Sequence, residues 1–94
     1  MAHQDVVPIA SGTERDWQVD PFAGEIRDGF VWGRGAWDNK ANLFAIFEAI
    51  ETLAASGFKP RQTLYIAAGH DEEIGGEQGA MAIAALLQSR GVRL

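Results

Sequence analysis

The chain has 94 residues, a formal net charge of −5 and no cysteine, and 47% of its residues are hydrophobic. This length allows one small domain with a modest core, and the lack of cysteine excludes disulfides and thiolate metal ligands. Because 8 basic residues face 13 acidic ones without a basic cluster, neither nucleic acid nor a membrane surface is an expected partner. No signal peptide or membrane span is visible, so we expect a cytoplasmic location.

The first candidate site residues lie in an apolar segment that starts almost at Met1 and continues through residues 6–9, which predicts a strand. His3 and Asp5 are two residues apart and would project from the same face of that strand. A carboxylate beside an imidazole is how metal-binding histidines are oriented. The alternative, a fraying N-terminal histidine without a role, stays open at this point.

A hairpin and a glycine-rich turn follow. Residues 25–26 and 30–32 are extended runs joined by Arg27-Asp28-Gly29, and an Asp-Gly pair between such runs predicts a β-hairpin. The turn at residues 33–35 lacks the spacing of a phosphate-binding loop. Asp38 follows it, and its simplest role is to cap the next helix.

Two helices and a strand make up the second half of the chain. Residues 39–56 predict the first helix, because apolar side chains recur at helical spacing and Gly57 ends the pattern. Residues 63–68 predict a buried strand and residues 79–90 a second helix, while residues 92–94 resemble the approach to a further strand. This alternation predicts an α/β fold with a mainly parallel sheet, flanking helices and the hairpin as an insertion.

Three adjacent acids, Asp71-Glu72-Glu73, lie where the predicted strand ends and the second helix begins. Open α/β sheets build their sites at such positions. Adjacent carboxylates repel one another unless a cation or a shared proton relieves them. One interpretation is therefore a metal site in which one glutamate binds and its neighbour handles protons. The alternative is an acidic helix N-terminus that interacts favourably with the helix dipole.

Three motifs of the chain form a recognisable set. They are His3-Gln4-Asp5-Val6-Val7-Pro8, Gly33-Arg34-Gly35-Ala36-Trp37-Asp38-Asn39-Lys40 and Asp71-Glu72-Glu73-Ile74-Gly75-Gly76. In this order and separation they resemble the di-zinc aminoacylase/carboxypeptidase family. The glycine-histidine pair at residues 69–70 and the segment at residues 20–24 are most similar to the Gly-X carboxypeptidase (carboxypeptidase S) and N-acyl-amino-acid hydrolase branch.

The resemblance implies a role for each matching residue. His3 and Asp38 would bind one zinc ion, Asp38 and Glu73 a second, and Asp5 would orient His3. Glu72 would be the general base of a zinc metallopeptidase or amidohydrolase that uses metal-activated water. The substrate would be a small peptide or an N-acyl amino acid, and cobalt or manganese remain alternatives to zinc. The resemblance also implies a cis peptide bond after Asp38.

Members of that family are several times longer than this chain and have a separate lid or dimerisation domain. Each zinc ion also takes one further ligand, an acid or a histidine, from later segments. We therefore expect residues 1–94 to be a fragment of one zinc-hydrolase catalytic domain, without the lid domain and inactive in isolation. The resemblance is also compatible with a homodimeric parent protein. Two alternatives remain: a truncated, non-catalytic fragment, and a small acidic α/β interaction module without metal.

Overall fold

The computed structural model describes residues 1–93 and combines two α-helices with two small sheets. Short 3₁₀ turns lie at Glu14–Asp16 and Glu72–Ile74, and wide π-helical turns lie at Ala36–Ala41 and Glu77–Met81. This mixture of helix and strand confirms the α/β composition. The main elements are β1 (Ala2–His3), β2 (Glu25–Arg27), β3 (Phe30–Trp32), α1 (Asn42–Ala55), β4 (Ala68–Gly69) and α2 (Ala82–Ser89).

The parallel pairing of β1 with β4 sets the geometry of the molecule. Ala2 lies opposite Ala68 and His3 opposite Gly69. Gln4 N–H donates to the Gly69 carbonyl at 2.9 Å at the end of the pair. Because the carboxyl ends of parallel strands lie at the same edge, the residues after His3 and those after Gly69 leave the sheet side by side.

The predicted hairpin is confirmed. β2 and β3 are antiparallel, with Ile26 opposite Val31. Asp28 and Gly29 have φ of +54° and +80°, which is the left-handed conformation that a two-residue type I′ turn requires at both positions. The Arg27 guanidinium lies 4.8 Å from the centre of the Trp32 ring and closes one side of the hairpin.

The start of the first helix was predicted wrongly. α1 begins at Asn42, and Asp38 and Asn39 before it have non-helical backbone angles and are joined by a cis peptide bond, as the resemblance implied. The Lys40 N–H donates to the carbonyl of Gly35 at 3.1 Å, which closes a wide turn ahead of the helix. Asp38 makes no side-chain cap bond to either helical segment, so its predicted capping role is also wrong.

The second helical segment starts at Glu77, before the predicted residue 79, but its regular α-helix starts only at Ala82. A wide turn over Glu77–Met81, closed by a 2.9 Å bond from the Met81 N–H to the Gly76 carbonyl, leads into α2 at Ala82. Gly76, with φ of +72°, takes the left-handed conformation ahead of this turn. The helix thus begins directly after the acidic segment.

Two predicted strands are mostly absent from the described part of the chain. Residues 6–9 are in no strand, and of the predicted strand at residues 63–68 only Ala68 pairs, while Leu64 and Ile66 are exposed. A strand needs a hydrogen-bonded neighbour. Within residues 1–93 the segment at residues 63–68 has only the two-residue strand β1 to pair with. The predicted approach to a further strand is not a strand at residues 92–93, and Leu94 lies outside the described residues.

Residues 1–93 form a thin layer, 49 × 35 × 13 Å. The radius of gyration is 16.9 Å, against about 12 Å for a compact domain of this length. Val19 and Leu43 are the buried apolar side chains among the described residues, whereas Phe44 and Phe47 on α1 are exposed. The apolar stripe of α1 is therefore only partly covered within this layer. Neither helix in residues 1–93 has the length and apolar character needed to cross a bilayer.

Candidate metal centre

Three side chains from distant parts of the sequence converge at the edge where β1 and β4 end. His3 closes β1, Asp38 lies in the wide turn before α1, and Glu73 lies in the 3₁₀ turn after β4. One ligand atom from each of them lies within 4.8 Å of the other two. The structure therefore brings together the three residues that the sequence predicts as metal ligands.

His3 is the buried member of this group, with 6% of its surface exposed. Its Nδ1 lies 3.1 Å from the carbonyl oxygen of Asp5, and its Nε2 lies 2.9 Å from Asp38 Oδ1. Both neighbours are hydrogen-bond acceptors, so each ring nitrogen needs a proton or a cation toward its partner. If the Nδ1–H donates to Asp5, the space between Nε2 and Asp38 is filled by a second proton or by a metal ion.

The electrostatics of His3 reflect this arrangement. Burial alone lowers the pKa of the imidazole, but the hydrogen bonds to Asp38 and Asp5 and the charge of Glu72 act in the opposite direction and raise it above 6.5 overall. Without a metal, these contacts therefore stabilise the protonated imidazole. A divalent cation would have to displace the Nε2 proton to bind there.

Asp5 connects His3 to Glu73. Its Oδ1 lies 3.4 Å from His3 Nδ1, and its Oδ2 accepts the Glu73 N–H at 3.0 Å. Partial burial raises the pKa of this carboxyl, but the backbone N–H groups of Glu73 and Glu72 lower it below its usual value overall. Asp5 thus holds the imidazole through its backbone carbonyl and the backbone of the acidic turn through its ionised carboxylate. The link to Glu73 was not foreseen from the sequence.

Glu72 lies beside the converged group without closing on it. Its Oε2 is 3.8 Å from His3 Nε2, beyond hydrogen-bond distance, and the side chain is 60% exposed. The side chain of Asp38 is also open to solvent. A cleft of about 350 Å³ next to the group includes His3, Asn39 and Glu72 in its lining. The group is therefore closed on the His3 side and accessible on the side of the two acids.

The donors fit a divalent metal such as zinc. Zinc in proteins is bound by imidazole nitrogen and carboxylate oxygen at about 2.0–2.2 Å. The donors of His3, Asp38 and Glu73 are of these types and close enough for small side-chain rotations to bring them into range. A cation between His3 Nε2 and Asp38 Oδ1 would also take the place of the proton that these two atoms otherwise need between them. The metal-binding roles of these residues stay a prediction.

Asp71 lies in the predicted acidic motif, but the sequence indicates no role of its own for it. It is buried, with 8% of its surface exposed, and its Oδ2 accepts the Gln78 N–H at 2.7 Å. The available signal was Gly79, where a Cβ would clash with Asp71 Oδ1. A glycine eight positions after an acid is too weak a pattern to identify such a contact from sequence alone.

A histidine and two carboxylates that converge at the carboxyl ends of two parallel strands define an α/β protein with a candidate metal centre. Comparison with known families gives the particular family. The sequence model of peptidase family M20/M25/M40 matches residues 1–93, and the chain belongs to that family.

Known relatives place the chain within that family. It is 52% identical over 94 residues to the mouse (Mus musculus) N-fatty-acyl-amino acid synthase/hydrolase PM20D1, and the match covers 100% of this chain and 18% of the relative. It is 48% identical over 92 residues to carboxypeptidase S of Saccharomyces cerevisiae, covering 96% of this chain and 16% of the relative. The chain thus spans less than a fifth of the length of these relatives. No solved structure matches it. The family and these names confirm the resemblance to the carboxypeptidase/aminoacylase branch and support a hydrolase function.

Proposed function

We propose that the chain is part of the catalytic domain of a zinc-dependent amidohydrolase that cleaves peptide or N-acyl-amino-acid amide bonds. The observation that carries the proposal is the convergence of His3, Asp38 and Glu73 within 4.8 Å of one another, from three distant segments. Membership of the peptidase family and similarity to an N-fatty-acyl-amino acid synthase/hydrolase and a carboxypeptidase support the same reaction class.

His3 and Asp38 would hold one zinc ion, and Asp38 and Glu73 a second, with Asp38 shared between them. When bound, zinc supplies a Lewis acid that polarises a carbonyl and lowers the pKa of a bound water to about 7. Cobalt and manganese accept similar donors and remain alternatives. Within residues 1–93 each ion has two of these ligands, one fewer than is usual at a catalytic zinc site. We therefore expect residues 1–94 in isolation to be inactive.

The proton transfers fall to Glu72 in this proposal. Its exposed carboxylate lies next to the candidate ligands but beyond hydrogen-bond distance of His3, which leaves it free to accept a proton from the attacking water and pass it to the leaving amine. The backbone carbonyl of Asp5 accepts from the Nδ1–H of His3 and so directs Nε2 toward Asp38, and Oδ1 of the Asp5 carboxylate lies 3.4 Å from the same nitrogen. The two adjacent glutamates therefore have different tasks.

The experiment is the substitution Glu72→Ala in a full-length protein that contains this chain. Hydrolysis of an N-acyl amino acid and of a Gly-X dipeptide should fall about 10²- to 10⁴-fold, the usual contribution of a general base. The zinc content should not change, because Glu72 is not a ligand in this proposal. Glu48→Ala, which removes an exposed glutamate on α1, is the matched control and should keep full activity.

Two outcomes would contradict the proposal. Full activity in Glu72→Ala would remove this residue from the reaction. A wild-type protein that neither binds zinc nor hydrolyses either substrate would instead favour the acidic interaction module, in which these carboxylates are surface groups only.

A further inference from the structure

We infer that Asp71 is a positioning residue for Glu72 and Glu73. Its carboxylate attaches the turn that carries both glutamates to the first turn of the following helical segment. The inference rests on the proposed function, since it assigns Asp71 a task in placing a base and a metal ligand. It adds a residue, and the complementary Gly79, that the proposal does not use.

Asp71 is anchored through both its side chain and its backbone. The charged Oδ2 accepts the Gln78 N–H at 2.7 Å, within the range of strong, charge-assisted hydrogen bonds. The Asp71 carbonyl accepts the N–H groups of Ile74 at 3.2 Å and Gly76 at 2.8 Å. One residue thus closes the turn around the two glutamates and connects that turn to the next helical segment.

Burial makes this arrangement costly without some compensating role. Asp71 and His3 are the buried polar or charged residues among those the structure describes. Asp71 Oδ1 is buried and has no hydrogen-bond partner within residues 1–93. A buried carboxylate oxygen without a donor destabilises a fold. The position is therefore not explained by stability alone.

Gly79 is shaped to receive this carboxylate. A Cβ at residue 79 would clash with Asp71 Oδ1 and would come within 3.2 Å of the His70 nitrogen and 3.3 Å of Gly69 Cα. The backbone of Gly79 is not in the left-handed region. Space, and not backbone conformation, is therefore what requires a glycine here, and the space is occupied by Asp71.

The two glutamates lie between two anchors. On one side Asp5 Oδ2 holds the Glu73 N–H, and on the other Asp71 holds the Gln78 N–H. Glu72 itself is largely exposed, so its place 3.8 Å from His3 Nε2 is set by the backbone of the turn. Catalytic groups need to be held within about 0.5 Å of their working positions. Loss of the Asp71 anchor should therefore impair both the base and the ligand.

The test uses a full-length protein that contains this chain, with the variants Asp71→Ala, Asp71→Asn, Gly79→Ala and the double variant Asp71→Ala/Gly79→Ala. We expect kcat for an N-acyl amino acid and the affinity for zinc, measured by chelator competition, each to fall about 10- to 100-fold in Asp71→Ala and in Gly79→Ala. KM should change much less. Asp71→Asn keeps an oxygen that accepts from Gln78 N–H and should restore most of the loss.

The double variant isolates the contact. Because Asp71→Ala removes the atom with which the new Cβ would clash most closely, and only the tight contacts to His70 and Gly69 remain, the double variant should lose clearly less than the sum of the two single losses, a non-additive result. Glu48→Ala, on the exposed surface of α1, is the control for a substitution away from the site. It should leave kcat and zinc affinity within about twofold, the additivity error expected between independent sites.

Three results would overturn the inference. In the first, the melting temperature falls while kcat and zinc affinity per folded molecule stay unchanged, which is a purely structural role. In the second, Asp71→Asn is as impaired as Asp71→Ala. In the third, the effects of Asp71→Ala and Gly79→Ala add. A wild-type protein without zinc binding and hydrolysis is distinguishable from all three, because it refutes the proposed function first.

Discussion

The substitution Gly35→Ala tests how the chain places Asp38. Gly35 is buried, has φ of +79°, and accepts the Lys40 N–H that closes the turn around Asp38. A Cβ there would clash with Val6 Cγ1 and would lie 3.0 Å from Lys40 Nζ. An alanine in the left-handed conformation costs about 1–2 kcal/mol, and overpacking adds about 1–3 kcal/mol. The free energy of unfolding should therefore fall by about 2–5 kcal/mol.

A matched control separates the two costs. Gly57 has a similar φ of +73°, and a Cβ there would meet nothing within 4 Å. Gly57→Ala should therefore carry only the backbone cost of about 1–2 kcal/mol. Urea unfolding of a full-length protein that contains this chain gives both values, and chelator competition gives the zinc affinity. Only Gly35→Ala should weaken zinc binding, because only it displaces the turn that carries Asp38.

The reasoning can be refuted in two ways. Equal loss of stability in Gly35→Ala and Gly57→Ala would show that Val6 and Lys40 do not limit the space at residue 35. Unchanged zinc affinity in a folded Gly35→Ala protein would show that the turn does not set the position of Asp38. Conversely, Val6→Ala should partly restore stability in the Gly35→Ala background, since it removes the methyl group that clashes.

Two further predictions concern the candidate ligands. Asp5→Ala should weaken zinc binding about 10- to 100-fold, because it removes the carboxylate that lies beside His3 Nδ1 and accepts the Glu73 N–H. Chelator competition measures the affinity, and a value equal to wild type would remove the Asp5 carboxylate from this role. Zinc affinity should also fall by up to about tenfold per pH unit as the pH drops through the pKa of His3, which lies above 6.5, because the proton on Nε2 competes with the metal. A zinc affinity that does not vary between about pH 5 and 8 would contradict this assignment. In the metal-free protein, the contribution of protonated His3 to the free energy of unfolding is complete below pH 6.5 and is lost as the pH rises through the raised pKa.

The sequence was most informative where a local pattern determines the structure. The Asp28-Gly29 pair specifies a hairpin by itself, because both residues tolerate the left-handed conformation that the turn needs. The convergence of His3, Asp38 and Glu73 was predicted from the family resemblance, whereas the local patterns alone left a fraying histidine, a helix cap and an acidic helix N-terminus open. The family resemblance, and not periodicity, supplied the individual roles of these residues.

Tertiary context explains what the sequence did not show. The apolar run that includes Leu64 and Ile66 has the composition of a buried strand, but strand formation depends on neighbours that a linear pattern does not specify. The helix before Asn42 is interrupted by non-helical residues although its sequence is compatible with a helix. The contact between Asp71 and Gly79 depends on the three-dimensional packing of two turns, so the sequence did not indicate it.

Anomalous diffraction at the zinc absorption edge, from crystals of a full-length protein that contains this chain, tests the central claim most directly. We expect zinc density within bonding distance of His3 Nε2, of an Asp38 oxygen and of a Glu73 oxygen, and none bonded to Glu72. Zinc bound elsewhere, with His3 Nε2 still hydrogen-bonded to Asp38, would contradict the assignment of these three residues as the metal centre.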